Sequence, residues 1–371
     1  MVMHVYHLIP SLSYGGLEEA VRGLALCQIR SGHSVTIGCW SRGGNHPEVE
    51  DDLERAGVSI AYLRRAPDGG VLNGRMSLFR ILKAHLAARK PDLLHIHNPL
   101  EHYPFGVLTA RVVGQIAIVN TLHGTSMFDH WSFGRNARVK FWLSALLSDR
   151  VVSVCPEVER FVRSKYVLPR KKLSVVENGI DLSRFLAVPA RDSRRQLVFG
   201  TVARMGPEKN HRLLIESFAL AYHTYGEIRL RLLGSGPLEP ELRSLVRELG
   251  LNDVVEFCGF SHDVAGFLGS LDIFALSSNT EGQPLSLIEA IASGLPVVAT
   301  DVGGVRDVVQ NTRSGWLCPP DNTDAFLAAM QSAITCSERR EQAERARQLA
   351  AERYSAERMA RDYEQLYQEL L

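Results

Sequence analysis

A regular alternation of short apolar runs with longer amphipathic segments constrains the fold most, and it occurs in both halves of the chain. Apolar runs of about 4–8 residues that alternate with helical patterns are typical of parallel strands joined by crossover helices. The predicted strands are 2–9, 35–39, 93–97, 116–120 and 151–154, then 197–202, 229–233, 254–257, 273–276, 297–299 and 315–318. We therefore predict an α/β fold with two doubly wound sheets.

The length of the chain supports a division into two domains. Its 371 residues exceed twice the ~150 residues typical of one domain. The segment 182–196 contains Pro189 and a charged run, interrupts the alternation and is predicted to be a linker. We predict Rossmann-like domains over 1–185 and 186–354. A final helix over 355–371 either caps the second domain or crosses back onto the first.

The cysteines and the apolar runs bear on the compartment. The six cysteines are widely dispersed without a C-x-x-C pair, which favours a reduced, cytoplasmic protein. Met1 leads directly into an apolar strand, and no apolar run approaches the ~20 residues that cross a bilayer. We therefore expect neither a secretion signal nor a membrane span.

The charge is unevenly distributed. Residues 1–185 carry 23 Lys and Arg against 16 Asp and Glu, and the remainder carries 19 against 25. A basic first half suits an anionic surface or acceptor, and equally an ordinary solvated surface. The segment 131–147 mixes Arg135, Arg138 and Lys140 with apolar residues, which suits a core helix with a basic face or a helix on an anionic membrane. Stacking aromatics do not interleave with a basic stripe, so nucleic acid is not a predicted partner.

A helix over 284–293 is predicted to follow the strand 273–276. Pro284 suits the first helical position, and Gly294 suits the position just past the end. The loop between strand and helix therefore lies at the carboxyl end of a parallel strand, where doubly wound folds bind ligands.

The start of this helix is a candidate phosphate site. The unpaired amides of Leu285 and Ser286 would bind phosphate, with Glu281 beside them. Glu289 lies eight residues beyond Glu281, within an otherwise apolar segment. An ionised carboxylate there is costly unless a group donates to it. A hydroxyl-rich ligand, a neighbouring Arg and solvent are all suitable partners.

Arg204 and Lys209 form a second candidate site after the strand 197–202. Two cations at the carboxyl end of a strand, beside a helix N-terminus, suit a diphosphate. Pairing with surface acids explains the same residues equally well.

Together these segments resemble the retaining glycosyltransferases of family 4, in which G-x-x-x-R-x-x-x-x-K precedes Glu-x7-Glu. The first motif here runs from Gly200 through Arg204 to Lys209, and the second from Glu281 to Glu289. Further matching segments are Gly15-Gly16, 177–181, 233–237 and 255–259. The resemblance covers almost the whole chain. It implies the GT-B architecture, in which two Rossmann-like domains face each other across a donor/acceptor cleft.

The resemblance also implies an activity. The protein would move a sugar from a nucleotide-diphosphate donor to a hydroxyl of a carbohydrate or lipid-linked acceptor, with retention and without a metal or other cofactor. Polysaccharide, lipopolysaccharide and glycolipid assembly are the processes such an enzyme serves. Peripheral contact with an anionic membrane is a hypothesis that the basic segment adds.

Residue roles follow from the same resemblance. Arg204 and Lys209 would hold the diphosphate, Glu289 the ribose, Glu281 the transferred sugar, and His123 would contact that sugar near the reacting centre. The catalytic group is thus His123, Arg204, Lys209 and Glu281. Further implied donor contacts are Gly15, Gly16, Gly259, Phe260, Gly282, Gln283, Pro284, Leu285 and Ser286. Gln283 stands where the family often has an aromatic residue.

Three further histidines raise the question of a metal. His95 and His97 alternate on one strand and share a face, and His102 follows. No nearby carboxylate or cysteine completes a convincing site, so we predict no metal and expect these residues to line the cleft.

Competing classes differ in their motifs. A nicotinamide-dependent dehydrogenase predicts G-x-G-x-x-G after an early strand, whereas the segment here is Pro10-Ser-Leu-Ser-Tyr-Gly-Gly16. A sugar-nucleotide epimerase of the same architecture and a non-catalytic nucleotide-sugar-binding module are the alternatives.

Overall fold

The computed structural model describes residues 1–41, 47–63, 75–97, 103–125, 137–186 and 196–371. These residues form two compact units. The first comprises Met1–Gly179 with Ala356–Leu371, and the second comprises Ile180–Ser355. The boundary falls at 179/180, whereas the sequence placed it at 185/186. The reason is that the Ile180 amide donates to the Tyr354 carbonyl at 2.9 Å, which ties the start of the second unit to its end.

Each unit is built on a parallel sheet. The strands are β1 (His4–Ser11), β2 (Ser34–Ser41), β3 (Ser59–Tyr62), β4 (Leu93–His97), β5 (Ala117–Leu122), β6 (Arg150–Ser153), β7 (Leu173–Val175), β8 (Leu197–Val202), β9 (Ile228–Leu233), β10 (Val255–Gly259), β11 (Ile273–Leu276), β12 (Val297–Thr300) and β13 (Gly315–Cys318). The first unit has the order β3-β2-β1-β4-β5-β6-β7, and the second has β10-β9-β8-β11-β12-β13. The order reverses between β1 and β4 and again between β8 and β11.

Helices connect these strands. They are α1 (Gly16–Arg30), α2 (Pro47–Arg55), α3 (Arg75–Arg89), α4 (Tyr103–Val113), α5 (Ala137–Leu147), α6 (Pro156–Lys165), α7 (Ser183–Leu186), α8 (His211–Tyr225), α9 (Glu239–Glu248), α10 (Val264–Gly269), α11 (Leu285–Ala292), α12 (Val305–Thr312), α13 (Thr323–Thr335), α14 (Arg339–Arg353) and α15 (Ala356–Gln368). Within the described part of the chain, no helix has the length and apolar composition that a membrane span requires.

The central strands are largely buried because both faces of a parallel sheet are covered. Every residue of β4 is buried, as is every residue of β11. The sequence missed β3 and β7, which are edge strands of four and three residues with partly exposed side chains. Such short half-exposed strands lack the apolar run on which the prediction depends.

The local signals at α11 were read almost correctly. Pro284 is the N-cap residue of α11 in extended conformation, whereas the sequence placed it as the first helical residue. Gly294 follows the C-cap Ser293 with a φ of 77°, which a glycine adopts without strain. The helix therefore ends where the glycine predicted.

The last helix, α15, packs on the first unit, which decides between the two placements that the sequence left open. Its apolar face joins the core formed by β1, β4 and α1. Two tyrosines of that face are hydrogen-bonded to the sheet: Tyr363 Oη lies 3.0 Å from Thr121 Oγ1, and Tyr367 Oη lies 2.6 Å from His95 Nδ1.

The contribution of α15 is testable with a matched pair of leucines. We expect Leu366→Ala to lower the free energy of unfolding by about 2–4 kcal/mol, because Leu366 is buried against the core of the first unit. Leu349→Ala on α14, where the side chain is 37% exposed, should cost less than about 1 kcal/mol. Equal costs in urea unfolding would contradict the packing described for α15.

Candidate active site

The loops that follow β8 and β11 are joined by hydrogen bonds. The Asn279 amide donates to the Glu208 carbonyl at 2.8 Å, and Ser277 Oγ donates to the Lys209 carbonyl at 3.0 Å. The Asn210 side-chain amide also donates to Asn279 Oδ1 at 3.0 Å. Since β8 and β11 are neighbours, the two motifs recognised separately in the sequence form one site at the carboxyl edge of the sheet.

An ion pair lies at the centre of this site. Lys209 Nζ lies 2.6 Å from Glu281 Oε1, and the Glu281 side chain is only 8% exposed. Ser278 Oγ donates to the same carboxylate oxygen at 2.6 Å. The sequence assigned Lys209 and Glu281 to different parts of a ligand, whereas the structure places them in direct contact. The Glu281 carboxylate is therefore a hydrogen-bond acceptor that Lys209 and Ser278 hold in place.

Arg204 occupies a different environment. Its guanidinium contacts Glu208 Oε1 at 2.6 Å, and its side chain is 62% exposed. Burial raises the pKa of Glu208, but hydrogen bonds from the backbone and from Arg204 outweigh it and hold that pKa below its ordinary value. Arg204 thus has the acidic partner that the alternative interpretation expected, although it remains accessible to solvent.

The loop that carries Glu281 is fixed by a close backbone contact. The Gly304 amide donates to the Gly282 carbonyl at 2.6 Å. Gly303 has a φ of 54°, and a Cβ there would lie 2.0 Å from the Glu281 carbonyl oxygen. Sequence reasoning missed both glycines. The available signal was a Gly-Gly pair in the loop that follows the predicted strand 297–299.

The face of α11 that is less buried carries the remaining candidates. Ser286 and Glu289 are half-buried, while Leu285, Leu287 and Ile288 are buried. Residues three apart share one side of a helix, so Ser286 and Glu289 lie on the same side. Gly282, Gln283 and Pro284 are buried in the preceding turn.

The turn after β9 contacts both the end of β10 and the loop after β8. The Gly234 amide donates to the Gly259 carbonyl at 2.7 Å, and Gly259 has a φ of 66°. A Cβ at Gly234 would lie 2.1 Å from the Ala203 carbonyl oxygen. The adjacent Phe260 is 51% exposed, and its ring contacts His262 edge-on with 4.9 Å between centroids. An exposed aromatic thus follows Gly259, where the base contact is predicted.

In the first unit, Gly15 and Gly16 lie at the start of α1. Gly15 is its N-cap residue and Gly16 its first residue. A carboxylate already lies there: a Cβ on Gly15 would be 2.4 Å from Glu18 Oε2. Burial raises the pKa of Glu18. A diphosphate that met these amides, as predicted, would therefore also lie near the Glu18 carboxylate.

Four histidines from three strands meet in the first unit. His7, His95 and His97 are buried on β1 and β4, and His123 is half-buried just after β5. His97 Nδ1 lies 3.1 Å from His123 Nε2, and His7 Nδ1 lies 3.0 Å from His97 Nε2. The sequence singled out the other three but missed His7. A histidine inside the largely apolar predicted strand 2–9 was the available signal.

Burial controls the charge of these rings. It lowers the pKa of His7 to about 4 and that of His123 to about 4. Burial, with the neighbouring imidazoles, also lowers the pKa values of His95 and His97 well below the ordinary value. All four are therefore neutral near pH 7.

The geometry of this cluster bears on the hypothesis of a metal site. Among the described residues, His7, His95 and His97 offer nitrogens within 4.8 Å of one another. His95 uses its two nitrogens for Tyr367 Oη and Thr121 Oγ1, at 2.6 and 2.7 Å. The predicted neighbour His102 lies outside the described residues. Hydrogen bonding thus accounts for the ring positions of His95.

Two family models match consecutive parts of the chain. One is Glycosyltransferase Family 4, over residues 14–184, and the other is Glycosyl transferases group 1, over residues 189–349. The chain therefore belongs to the group 1 glycosyltransferases, a family of enzymes with the GT-B fold. The family predicted from the ordered motifs is confirmed.

Individual relatives differ in how much of the chain they match. Putative colanic acid biosynthesis glycosyltransferase WcaL of Escherichia coli K12 is 37% identical over 166 residues, which are 43% of this chain and 41% of that protein. The chain thus spans about two fifths of that relative's length. N-acetyl-alpha-D-glucosaminyl L-malate synthase of Bacillus anthracis is 29% identical over 290 residues, 76% of this chain and 75% of that protein.

A solved structure supports the fold over the full length. Anabaena Alr3699/HepE in complex with UDP-glucose superposes with a TM-score of 0.82 and 18% identity, covering 99% of this chain and 100% of that chain. The predicted α/β class and GT-B fold are confirmed.

The buried histidines predict a dependence of stability on pH. His7, His95 and His97 have folded-state pKa values below the ordinary 6.5, so the unfolded chain binds more protons as the pH falls. Stability should therefore decline as the pH falls from about 6.5 towards 4, by about 1.4 kcal/mol per pH unit for each histidine. Urea unfolding between about pH 7 and pH 5 measures this slope. His95→Gln should reduce it by about one histidine's share, and an unchanged slope would contradict the assignment.

Proposed function

We propose that this protein is a retaining glycosyltransferase that moves a sugar from a nucleotide-diphosphate donor to a hydroxyl of a carbohydrate or lipid-linked acceptor. The observation that carries this proposal is the convergence of Lys209, Glu281 and the start of α11 at the carboxyl ends of β8 and β11. The name of the relative WcaL supports a place in polysaccharide assembly, with lipopolysaccharide and glycolipid assembly as related processes.

The diphosphate would be held by positive groups of the second unit. The Lys209 ammonium lies beside Glu281, and the amides of Leu285 and Ser286 lie at the positive end of the α11 dipole. Arg204, which is largely exposed, adds a planar cation suited to phosphate oxygens. These groups would stabilise the charge that develops on the leaving diphosphate, which is the task that a metal ion performs in other transferases.

The two glutamates suit recognition of hydroxyl groups. Glu281 Oε1 accepts from Lys209 and Ser278, and its carboxylate also has Oε2 to accept from a hydroxyl of the transferred sugar. Glu289 lies on the less buried side of α11 with Ser286, so it would accept from the ribose hydroxyls. Phe260 and Gly259 would contact the base, and His123 the transferred sugar.

We infer retention from the resemblance of the motifs to those of the retaining glycosyltransferases of family 4. The acceptor hydroxyl would attack from the face that the phosphate leaves, so that no protein carboxylate has to act as a nucleophile.

A screen of donors is the first test. UDP-, GDP- and ADP-sugars should be compared for thermal stabilisation, since a ligand that binds only the folded state raises stability as RT ln(1 + [L]/Kd). UDP-glucose is the first compound to try, because Alr3699/HepE is seen with it. Analysis of the donor after incubation separates transfer and hydrolysis from isomerisation. Isomerised donor would favour an epimerase, and stabilisation by a donor that is neither transferred, hydrolysed nor isomerised would favour a non-catalytic nucleotide-sugar-binding module. No stabilisation by any donor would contradict the proposed function.

Lys209 allows a sharper test of the diphosphate contact. We expect Lys209→Ala to weaken binding of the stabilising nucleoside diphosphate about 10- to 100-fold, because the charge-assisted hydrogen bond that the ammonium would donate to the diphosphate is lost. Binding of the corresponding nucleoside, which lacks the diphosphate, should change much less. Arg212→Ala is the matched control, since Arg212 pairs with Glu216 and Glu241 on the surface. Equal weakening of nucleoside and diphosphate in calorimetry would argue against the assigned role.

A lipid-linked acceptor would be met at a membrane surface, and α4 and α5 offer a suitable face. This apolar face consists of exposed side chains on neighbouring helices: Leu108, Val112, Val139, Trp142, Leu143 and Leu147. Arg111 joins the two helices by donating to the Leu147 carbonyl at 2.8 Å, and Arg138 and Lys140 add positive charge. Exposed apolar side chains beside basic ones suit an anionic bilayer. Residues 131–136 of the predicted segment lie outside the described residues.

Vesicle flotation tests this face. The protein should float with vesicles that contain phosphatidylglycerol and much less with pure phosphatidylcholine. The double variant Val139→Glu/Leu143→Glu should lose most of that binding, because two exposed apolar side chains become anionic. Leu220→Glu, at a leucine 44% exposed on α8 in the second unit, is the control and should bind like the parent. Binding that is independent of lipid charge, or unaffected by the double variant, would refute the membrane contact.

A further inference from the structure

Gln28 and three histidines form a continuous hydrogen-bonded row inside the first unit. Gln28 Oε1 on α1 lies 2.7 Å from His7 Nε2 on β1. His7 Nδ1 lies 3.0 Å from His97 Nε2 on β4, and His97 Nδ1 lies 3.1 Å from His123 Nε2. We call Gln28, His7, His97 and His123 the histidine row. It links α1 to His123, just after β5, by way of two buried rings.

The chemistry of its first member gives the row a direction. The amide oxygen of Gln28 accepts hydrogen bonds and cannot donate, so the proton of a neutral His7 is on Nε2. His7 Nδ1 then accepts, which places the proton of His97 on its own Nε2. His97 Nδ1 accepts in turn from His123 Nε2. Each ring thereby determines the tautomer of the next.

The argument requires neutral rings, and the surroundings favour them. His7 and His97 are at most 1% exposed, and burial lowers the pKa values of all three histidines. The titratable groups packed on the row are the His95 imidazole, whose centroid lies 3.9 Å from that of the tilted His97 ring, and the Tyr363 and Tyr367 hydroxyls of α15. Tyr367 also interacts with the Gln28 side chain. Burial raises the pKa values of both tyrosines, which keeps them uncharged.

We propose that Gln28, acting through His7 and His97, is a positioning residue that fixes His123 in the tautomer protonated at Nε2, with Nδ1 as a hydrogen-bond acceptor. The relevance of this tautomer to catalysis rests on the proposed function, in which His123 contacts the transferred sugar. A sugar hydroxyl that meets Nδ1 would then have to donate, so the row would select the orientation of that hydroxyl. The tautomer itself is a property of the folded chain and is measurable without any substrate.

Nitrogen-15 NMR of the full chain, labelled at histidine, tests the row directly. Long-range proton–nitrogen correlations distinguish a protonated ring nitrogen from an unprotonated one, and single substitutions assign the signals. We expect His7, His97 and His123 to be neutral near pH 7 and protonated at Nε2. A His123 protonated at Nδ1, or a charged ring within the row, would overturn the proposal. So would a stoichiometric metal ion in the purified protein, since the rings would then be ligands.

Two substitutions test the influence of Gln28. Gln28→Met keeps the volume but removes the acceptor, and His7→Phe breaks the row one step later. Each should shift the tautomer ratio of His123 by about fivefold towards protonation at Nδ1, the factor that a hydrogen bond of ~1 kcal/mol corresponds to. Thr36→Val is the control, because it removes the hydroxyl that lies 2.9 Å from His4 Nε2 on the same sheet, outside the row. It should leave the His123 signals unchanged.

The same variants connect the row to activity. If the proposed function holds, Gln28→Met should lower kcat, by at most about fivefold, with little change in the KM for donor, because the fraction of the competent tautomer cannot fall by more than the tautomer ratio shifts. Thr36→Val should leave kcat unchanged. A protein without transferase activity but with the expected tautomers would refute the proposed function and leave the row intact. Full activity with an unchanged His123 tautomer in both row variants would refute the row alone. Should Gln28→Met fail to fold, the spectra of His7→Phe and of the parent protein still test the tautomer of His123.

Discussion

The reversal of strand order in each parallel sheet is the constraint on which the rest of the structure depends. In the second unit it makes β8 and β11 neighbours although two strands separate them in sequence, so the loops that leave their carboxyl ends meet. Lys209 and Glu281 are 72 residues apart in the chain and 2.6 Å apart in space for this reason. In the first unit the same reversal places His7 of β1 beside His95 of β4.

Backbone contacts convert that proximity into a fixed geometry. The carbonyls of Glu208 and Lys209 accept hydrogen bonds from the Asn279 amide and the Ser277 hydroxyl, so the first loop is anchored without the side chains of Lys209 and Glu281. Gly303 permits an approach to the Glu281 carbonyl that a Cβ would prevent. The loops therefore position Lys209 and Glu281, and the ion pair between them is not needed to keep the loops together. This arrangement favours a preorganised site, in which little reorganisation accompanies ligand binding.

Sequence patterns predicted what depends on local chemistry. The strands 93–97, 197–202 and 273–276 were placed at their observed bounds, because apolar runs mark strands covered on both faces. The edge strand 315–318 was also placed at its observed bounds. The end of α11 at Gly294 was likewise readable from one glycine. What could not be read were contacts between distant segments. These include the pairing of Lys209 with Glu281, the close approach of Gly303, and the unit boundary at Ile180, all of which depend on which strands become neighbours. The roles of the site residues stay predictions.

The histidine row also depends on which strands become neighbours, and it constrains how the elements of the first unit pack. An apolar core normally excludes imidazoles, yet His7 and His97 are almost fully buried because each nitrogen that enters the row has a partner. Satisfying these nitrogens requires β1, β4 and α1 to be in register at once, so polar groups in this core specify how the elements pack. That requirement also transmits a choice made at Gln28 to His123 through two rings. A core built only from Val, Ile and Leu could provide stability at that position but could not orient a proton.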